Sequence, residues 1–330
     1  MSEDIISFDN VIRNISSDIR TSLASLPGDI KKVTEEIRLR NGSPLNINFQ
    51  GNNYFVTAND ILSSEAKDGI IINQTQINNT FQLITNHSIY AFTEEIRRGF
   101  ITVEGGHRIG IGGTIIYGNN GIENIRDISS LNIRIAKEKK GISDFIIPYL
   151  VKDGDFYNSL IISPPQCGKT TLLRDLVRNL SNGDLCKRGF KIGLIDERSE
   201  IAGVYNGLAQ NDVGIRTDIL NGCRKSDGIM MFIRSMSPEI IAIDEIGGRE
   251  DIEALEEGLR AGIRFIASIH GYDLNDLRSK VDLKKIIKDK IFKRYIIMDN
   301  SKGVGTIASI VDGENMKELY STRGGFLGSS

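Results

Sequence analysis

The stretch Ser159–Val177, SLIISPPQCGKTTLLRDLV, decides how the rest of the chain is read. Leu160, Ile161 and Ile162 form a short apolar run, Gly168-Lys169-Thr170 closes a loop, and Leu172, Leu173, Leu176, Val177 and Leu180 recur at helical spacing. Strand, loop and helix thus follow in the order of a phosphate-binding loop. In such a loop backbone N–H groups cradle phosphate oxygens, a Lys reaches the outer phosphates and a hydroxyl meets the metal. The general pattern G-x-x-x-x-G-K-[ST] is met at Gly168, Lys169 and Thr170 and missed at its first position, where Ser163 stands. The expected ATP contacts are Ser163, Pro164, Pro165, Gln166, Cys167, Gly168, Lys169, Thr170 and Thr171. Lys169 is expected on the β- and γ-phosphates, Thr170 on Mg²⁺ and Thr171 next to the α-phosphate, with the helix N-terminus adding its positive dipole end. Cys167 reads either as a small packing residue or as a thiol of depressed pKa at that N-terminus.

Downstream, EIIAIDEIGG (Glu239–Gly248) carries Ile240–Ile243 and then Asp244 and Glu245. This is the Walker B form: a buried strand delivers an Asp that holds Mg²⁺, and the adjacent Glu can orient or deprotonate an attacking water. KIGLIDERSEIAG (Lys191–Gly203) ends its apolar run in Asp196, Glu197 and Arg198, so Glu197 competes with Glu245 as the catalytic base. RFIASIH (Arg264–His270) brings Ser268 and His270 to a third strand end, where His270 reads as a γ-phosphate sensor or as a structural histidine. These strands are continuous apolar runs alternating with helical patterns, as expected for a parallel sheet covered by helices on both faces. Residues 141–330 therefore read as an α/β P-loop nucleotide-binding domain, which continues past His270 through the basic helical segment DLRSKVDLKKIIKDKIFKR and the strand pair YIIMD and VGTIASIVD. It closes on a Gly/Ser-rich tail expected to fray.

Upstream the pattern changes. From Ile5 to Leu26 apolar residues recur every three or four positions, which predicts an amphipathic helix ended by Pro27-Gly28. EEIRLR, LNINF and NYFVT read as strands with Asn41-Gly42 and Gly51-Asn52 as turn signals; a helix is expected over Thr75–Arg98. GFITVEGGHRIGIGGTIIYG and IRDISSLNIRIA alternate as strands. Residues 1–140 read as a smaller α+β domain, separated from the second by the charged, Gly- and Pro-containing stretch around Lys137–Phe156.

With 41 Lys and Arg against 43 Asp and Glu, the formal charge of -2 carries no electrostatic footprint for nucleic acid. The three cysteines, Cys167, Cys186 and Cys223, are scattered and lack histidines at metal-ligand spacing, which points to a reducing, cytoplasmic setting. Acids stand where a secretory signal would be basic, and no apolar run approaches the roughly 20 residues of a membrane span.

On IISPPQCGKTTLLRD, IGLIDERSEIAG, the segment Asn211–Gly248, ASIHG, EEIRLRNGSPL and GGHRIGIGG, the chain resembles the RecA-like ATPases of type II and type IV secretion and pilus machines. Within them it is similar to the stage III sporulation protein AA family of endospore-forming bacteria, over about Glu35 to Asp312. Ser-Pro-Pro-Gln-Cys is as expected for that narrower family. The resemblance implies a cytoplasmic homohexamer whose ATP turnover drives domain movement against membrane-embedded export or channel proteins, on the mother-cell side of a channel to the forespore. By position it points to Glu197 as the water-activating acid and matches His270. It also implies γ-phosphate contacts from arginines of the first domain and the interdomain segment, for which Arg108 and Arg134 are chosen, while Arg216 and Arg234 are placed to serve across a subunit boundary. The tetracysteine zinc site common in secretion ATPases is excluded by three cysteines, leaving Mg²⁺ as the expected metal. Two other readings stay open. One is a nucleic-acid translocase using Arg38, Arg40, Arg97, Arg98 and KKIIKDKIFKR, against which the near-neutral charge stands. The other is a nucleotide-regulated scaffold with little hydrolysis.

Overall fold

The computed structural model describes residues 2–118, 121–279 and 281–322, so the Gly/Ser-rich tail lies outside the described residues. The chain forms two compact units: Met1–Lys137 with Gly203–Gln210, and Glu138–Ala202 with Asn211–Ser330. A short segment from the second half of the chain thus belongs to the first unit. There Tyr205 packs on the core, accepts from Asn86 Nδ2 at 3.1 Å, and Gln210 Oε1 accepts the Gly105 N–H at 2.9 Å.

In the first unit α1 (Glu3–Val11), α2 (Ser17–Ala24) and α3 (Gly28–Val33) precede β1 (Glu36–Arg40), β2 (Asn46–Phe49), β3 (Asn52–Val56) and β4 (Leu62–Ser63). Next come α4 (Gln74–Ile84), α5 (Thr93–Arg97), β5 (Phe100–Val103) and the long hairpin β6 (His107–Gly118) and β7 (Gly121–Arg134). All seven strands join one antiparallel sheet in the order β4-β3-β2-β1-β7-β6-β5. Its inward residues, Ile37, Leu39, Ile47, Ile109 and Ile133, pack with Phe8, Val11, Ile15, Ile19 and Leu23 of the N-terminal helices. The apolar periodicity of Ile5–Leu26 is therefore a core stripe, but the single helix it predicts is two helices. Ser16 is extended (φ -52°, ψ 145°), its N–H donates to Thr80 Oγ1 at 3.1 Å, and the chain restarts at Ser17-Asp18, an N-terminal signal that the periodicity masked. The predicted helix Thr75–Arg98 is likewise broken, by Asn86 and His87 in left-handed conformation (φ 48° and 59°). It begins on a capping box in which Asn73 and Gln76 satisfy each other's backbone N–H.

The second unit adds α6 (Ile147–Leu150) and a small hairpin, β8 (Val151–Lys152) and β9 (Asp155–Phe156). β10 (Ser159–Ser163), α7 (Lys169–Asn182), β11 (Ile192–Asp196), β12 (Thr217–Asn221), α8 (Lys225–Ser235), β13 (Ile240–Ile243), α9 (Arg249–Arg260) and β14 (Arg264–His270) follow. α10 (Leu274–Ser279), α11 (Val281–Lys288), β15 (Arg294–Asp299), β16 (Thr306–Asp312) and β17 (Glu318–Ser321) complete it. The sheet order is β12-β11-β13-β14-β10-β15-β16-β17, parallel from β12 to β15 and antiparallel beyond. Residues of β10, β11 and β13 are buried throughout, as continuous apolar strands between two helical layers must be. Ile286, Ile287, Ile291 and Phe292 of the basic segment turn inward, so its lysines are the outer face of a core helix and its continuation. β12 and α8 escaped sequence reading: β12 is a short, half-exposed edge strand, and Gly228 weakens the helical signal of KSDGIMMFIRS. No helix among the described residues is long and apolar enough to cross a membrane.

Candidate functional site

β10, β11, β13 and β14 run parallel, so their C-terminal ends deliver Ser163, Asp196, Asp244 and His270 to one edge of the sheet, with Ser163 in register with His270. After Ser163 the chain turns through Gln166 and Gly168, both left-handed (φ 62° and 87°), and enters α7 at Lys169. Glycine suits position 168 on two counts, since a Cβ would be strained at that φ and would lie 3.2 Å from Val304 Cγ1. The first N–H groups of α7 have no partner within the helix, which leaves the positive end of its dipole beside the loop.

Lys169 is 7% exposed, and its amine makes no hydrogen bond. Its nearest acids are Asp244 Oδ1 at 3.4 Å and Glu245 Oε2 at 3.9 Å. A buried ammonium with unspent donors is costly and wants an anionic acceptor. Thr170 donates to Asp244 Oδ2 at 3.1 Å, so a hydroxyl and a carboxylate stand together as the oxygen donors that a hard cation takes.

Ser268, fully buried on β14, organises the acids of the neighbouring strand. Its hydroxyl donates to Asp244 Oδ1 at 2.5 Å and accepts the Glu245 N–H at 2.9 Å, while its carbonyl accepts the Ile246 N–H at 2.9 Å. One bond to Glu245 and one to each of its neighbours therefore hold Glu245 in a left-handed conformation (φ 58°) that a non-glycine residue rarely adopts. The Glu245 carboxylate lies 3.3 Å from His270 Nε2 and 3.5 Å from Arg198 Nη1 in addition to Lys169.

Glu197 is differently placed, in an ion pair with Lys225 at the start of α8. Asp196 is buried and accepts the N–H groups of Glu200, Ile201 and Ala202; burial pushes its pKa up, against the pull of those three bonds. It is an anchor for the loop after β11. Arg174 closes the same loop by donating to the Ile201 and Glu200 carbonyls, both at 2.6 Å.

The structure thus gathers Lys169, Thr170, Asp244, Glu245 and His270 at one place in the second unit. Arg108 and Arg134 lie in the first unit, in register across β6 and β7; the Arg108 guanidinium stacks on Phe100 at 3.6 Å and Arg134 faces Glu36 at 3.6 Å. Arg216 donates to the Ser181 and Asn182 carbonyls at the end of α7, and Arg234 is exposed on α8. Cys167 is buried and free. Two contributors were not read as site residues from sequence: Arg198, which stood in view beside Glu197, and Ser268 as the clamp of its neighbour strand. Only strand order reveals the latter.

A family model described as sporulation stage III, protein AA matches residues 7–317. Stage III sporulation protein AA of Bacillus subtilis (strain 168) is 40% identical over 298 residues, 90% of this chain and 93% of that protein. Among solved structures, the ATPase DotB of Yersinia pseudotuberculosis superposes with a TM-score of 0.57 at 13% identity, covering 91% of this chain and 80% of that one. The pilus retraction motor PilT with bound ADP superposes with a TM-score of 0.51 at 12% identity, covering 80% and 73%. At such identities the likeness shows the fold, a RecA-like α/β ATPase fold.

Proposed function

The chain belongs to the stage III sporulation protein AA family, and we propose that it is an Mg²⁺-dependent ATPase that powers assembly of, or export through, a membrane channel complex between mother cell and forespore. The observation that carries this reading is the buried Lys169 amine, without a hydrogen bond, at the start of a 14-residue helix and between two acids. A γ-phosphate would take the unspent donors that neither carboxylate now accepts. Thr170 and Asp244 would hold Mg²⁺, which neutralises charge on the β- and γ-oxygens when bound. Glu245 is the better-placed base: it faces Lys169 and is oriented by Ser268 and His270, whereas Glu197 is held by Lys225. Arg108 and Arg134 are our choices for the arginines that reach the γ-phosphate, within a cytoplasmic homohexamer held at the membrane by its partners. The alternative of a nucleotide-regulated scaffold predicts tight ATP binding without turnover.

The test is steady-state phosphate release from ATP and Mg²⁺ over a wide range of protein concentration, for the native chain and Lys169→Ala. The expected result is a specific rate that rises as subunits assemble and falls by about 10²-fold or more in the variant, the scale of losing one preorganised charge contact. Equal release by both proteins would refute the assignment.

A further inference from the structure

The turn between β15 and β16 is seated on the phosphate loop. The Gly305 N–H donates to the Cys167 carbonyl at 3.0 Å, and a Cβ on Gly168 would meet Val304 Cγ1 at 3.2 Å and Gly305 N at 3.3 Å. Because C=O and N–H of one trans peptide point in opposite directions, engaging the Cys167 carbonyl aims the Gly168 N–H away from the turn, back into the loop. The turn is itself pinned: Ser301 bonds Asp299 Oδ1 through both its N–H (3.1 Å) and its hydroxyl (2.8 Å), and Thr306 Oγ1 donates to the Gly303 carbonyl at 2.6 Å. Gly303 and Gly305 take left-handed conformations (φ 105° and 94°), which lift Val304 between them, and its side chain is left 64% exposed beside the loop.

Strand order gives this turn a side. β10 carries the loop between β14 and β15; Asp244, Glu245 and His270 all lie toward β13 and β14. A nucleotide whose terminal phosphate and metal meet those groups must send its sugar and base off the opposite side of β10, where β15 turns into β16. We propose that the Ser301–Gly305 turn is the nucleoside end of the site, with Val304 giving the purine an apolar contact; this rests on the ATPase reading above.

The test separates base from phosphate. Equilibrium binding of Mg-ADP and of Mg-tripolyphosphate, which has no nucleoside, is compared in the native chain, Val304→Ser and Val304→Leu. Val304 is exposed, so neither variant disturbs the core. The expected result is a loss of about five- to tenfold in ADP affinity for Val304→Ser, the scale of one aliphatic contact, near-native ADP binding for Val304→Leu, and equal tripolyphosphate affinity in all three. Unchanged ADP affinity in Val304→Ser would overturn the proposal, as would a parallel loss of tripolyphosphate affinity, which would mean that Val304 acts through the phosphate loop. A native chain that binds neither ligand would overturn the ATPase reading and this one with it, whereas tight binding of both ligands with unchanged ADP affinity in Val304→Ser would overturn the nucleoside contact alone.

Discussion

Acidification to pH 5 should weaken the first unit through one side chain, His107. This residue is fully buried at the start of β6; its Nδ1 accepts the Ala136 N–H at 3.1 Å and its Nε2 has no partner. With the ring wholly shielded from solvent and Nε2 unpartnered, a charged imidazolium would be buried without a compensating acceptor. Burial pushes its pKa from 6.5 down to about 4. The unfolded chain therefore takes up the proton first: stability is full above about pH 6.5, falls as pH drops through that value and levels near 4. The proton-linked loss, from those two pKa values, is about 0.2 kcal/mol at pH 7 and about 2 kcal/mol at pH 5. His107→Asn keeps an acceptor near Nδ1 and cannot titrate; it lowers stability by a constant for the lost ring volume and removes this pH dependence. Urea unfolding followed by far-UV circular dichroism at both pH values measures it. The native protein should lose about 1.8 kcal/mol more than the variant between pH 7 and pH 5. Equal losses would refute the reasoning, because carboxylates shared by both proteins would then carry the whole effect.

Two further outcomes follow from hydrogen bonds in the second unit. Ser268→Ala removes the donor to Asp244 and strands the Glu245 N–H; it should cost about 2–4 kcal/mol of stability and lower kcat by at least tenfold with ADP affinity changed far less, and a variant with native kcat would show that the clamp is dispensable. Asp175 is buried, and although burial raises its pKa, the N–H and hydroxyl of Ser143, then Arg178 and the Gly141 N–H, outweigh this and hold it below the ordinary carboxylate value. Its contribution is present above the unfolded pKa of about 3.9 and is lost as pH falls through the lower folded value. Asp175→Asn should therefore destabilise the second unit by about 3 kcal/mol at pH 7 in urea titrations, and a change below about 1 kcal/mol would contradict the network's importance.

What the residue order by itself determined is the local part of this protein. The strand, glycine-containing loop and helix of Ser159–Asn182, the apolar strands that end in acids, and the core stripe of the first helices are short-range patterns: each needs only its own segment's periodicity, turn residues and chain direction. Helix ends were less legible, because at Ser16 and at Asn86-His87 a continuous apolar stripe ran across a break that depends on caps and on left-handed backbone. Tertiary structure alone decided the rest, because each remaining feature depends on residues far apart in sequence. Placing β14 between β13 and β10 puts the Ser268 hydroxyl on Asp244; pairing Glu197 with Lys225 leaves Glu245 facing Lys169; folding β15 against β10 seats Val304 on Gly168. Such contacts form by closing long loops, whose entropy cost changes slowly with length, so spacing in the sequence carries almost no signal of which partner is chosen. That choice belongs to strand order and packing.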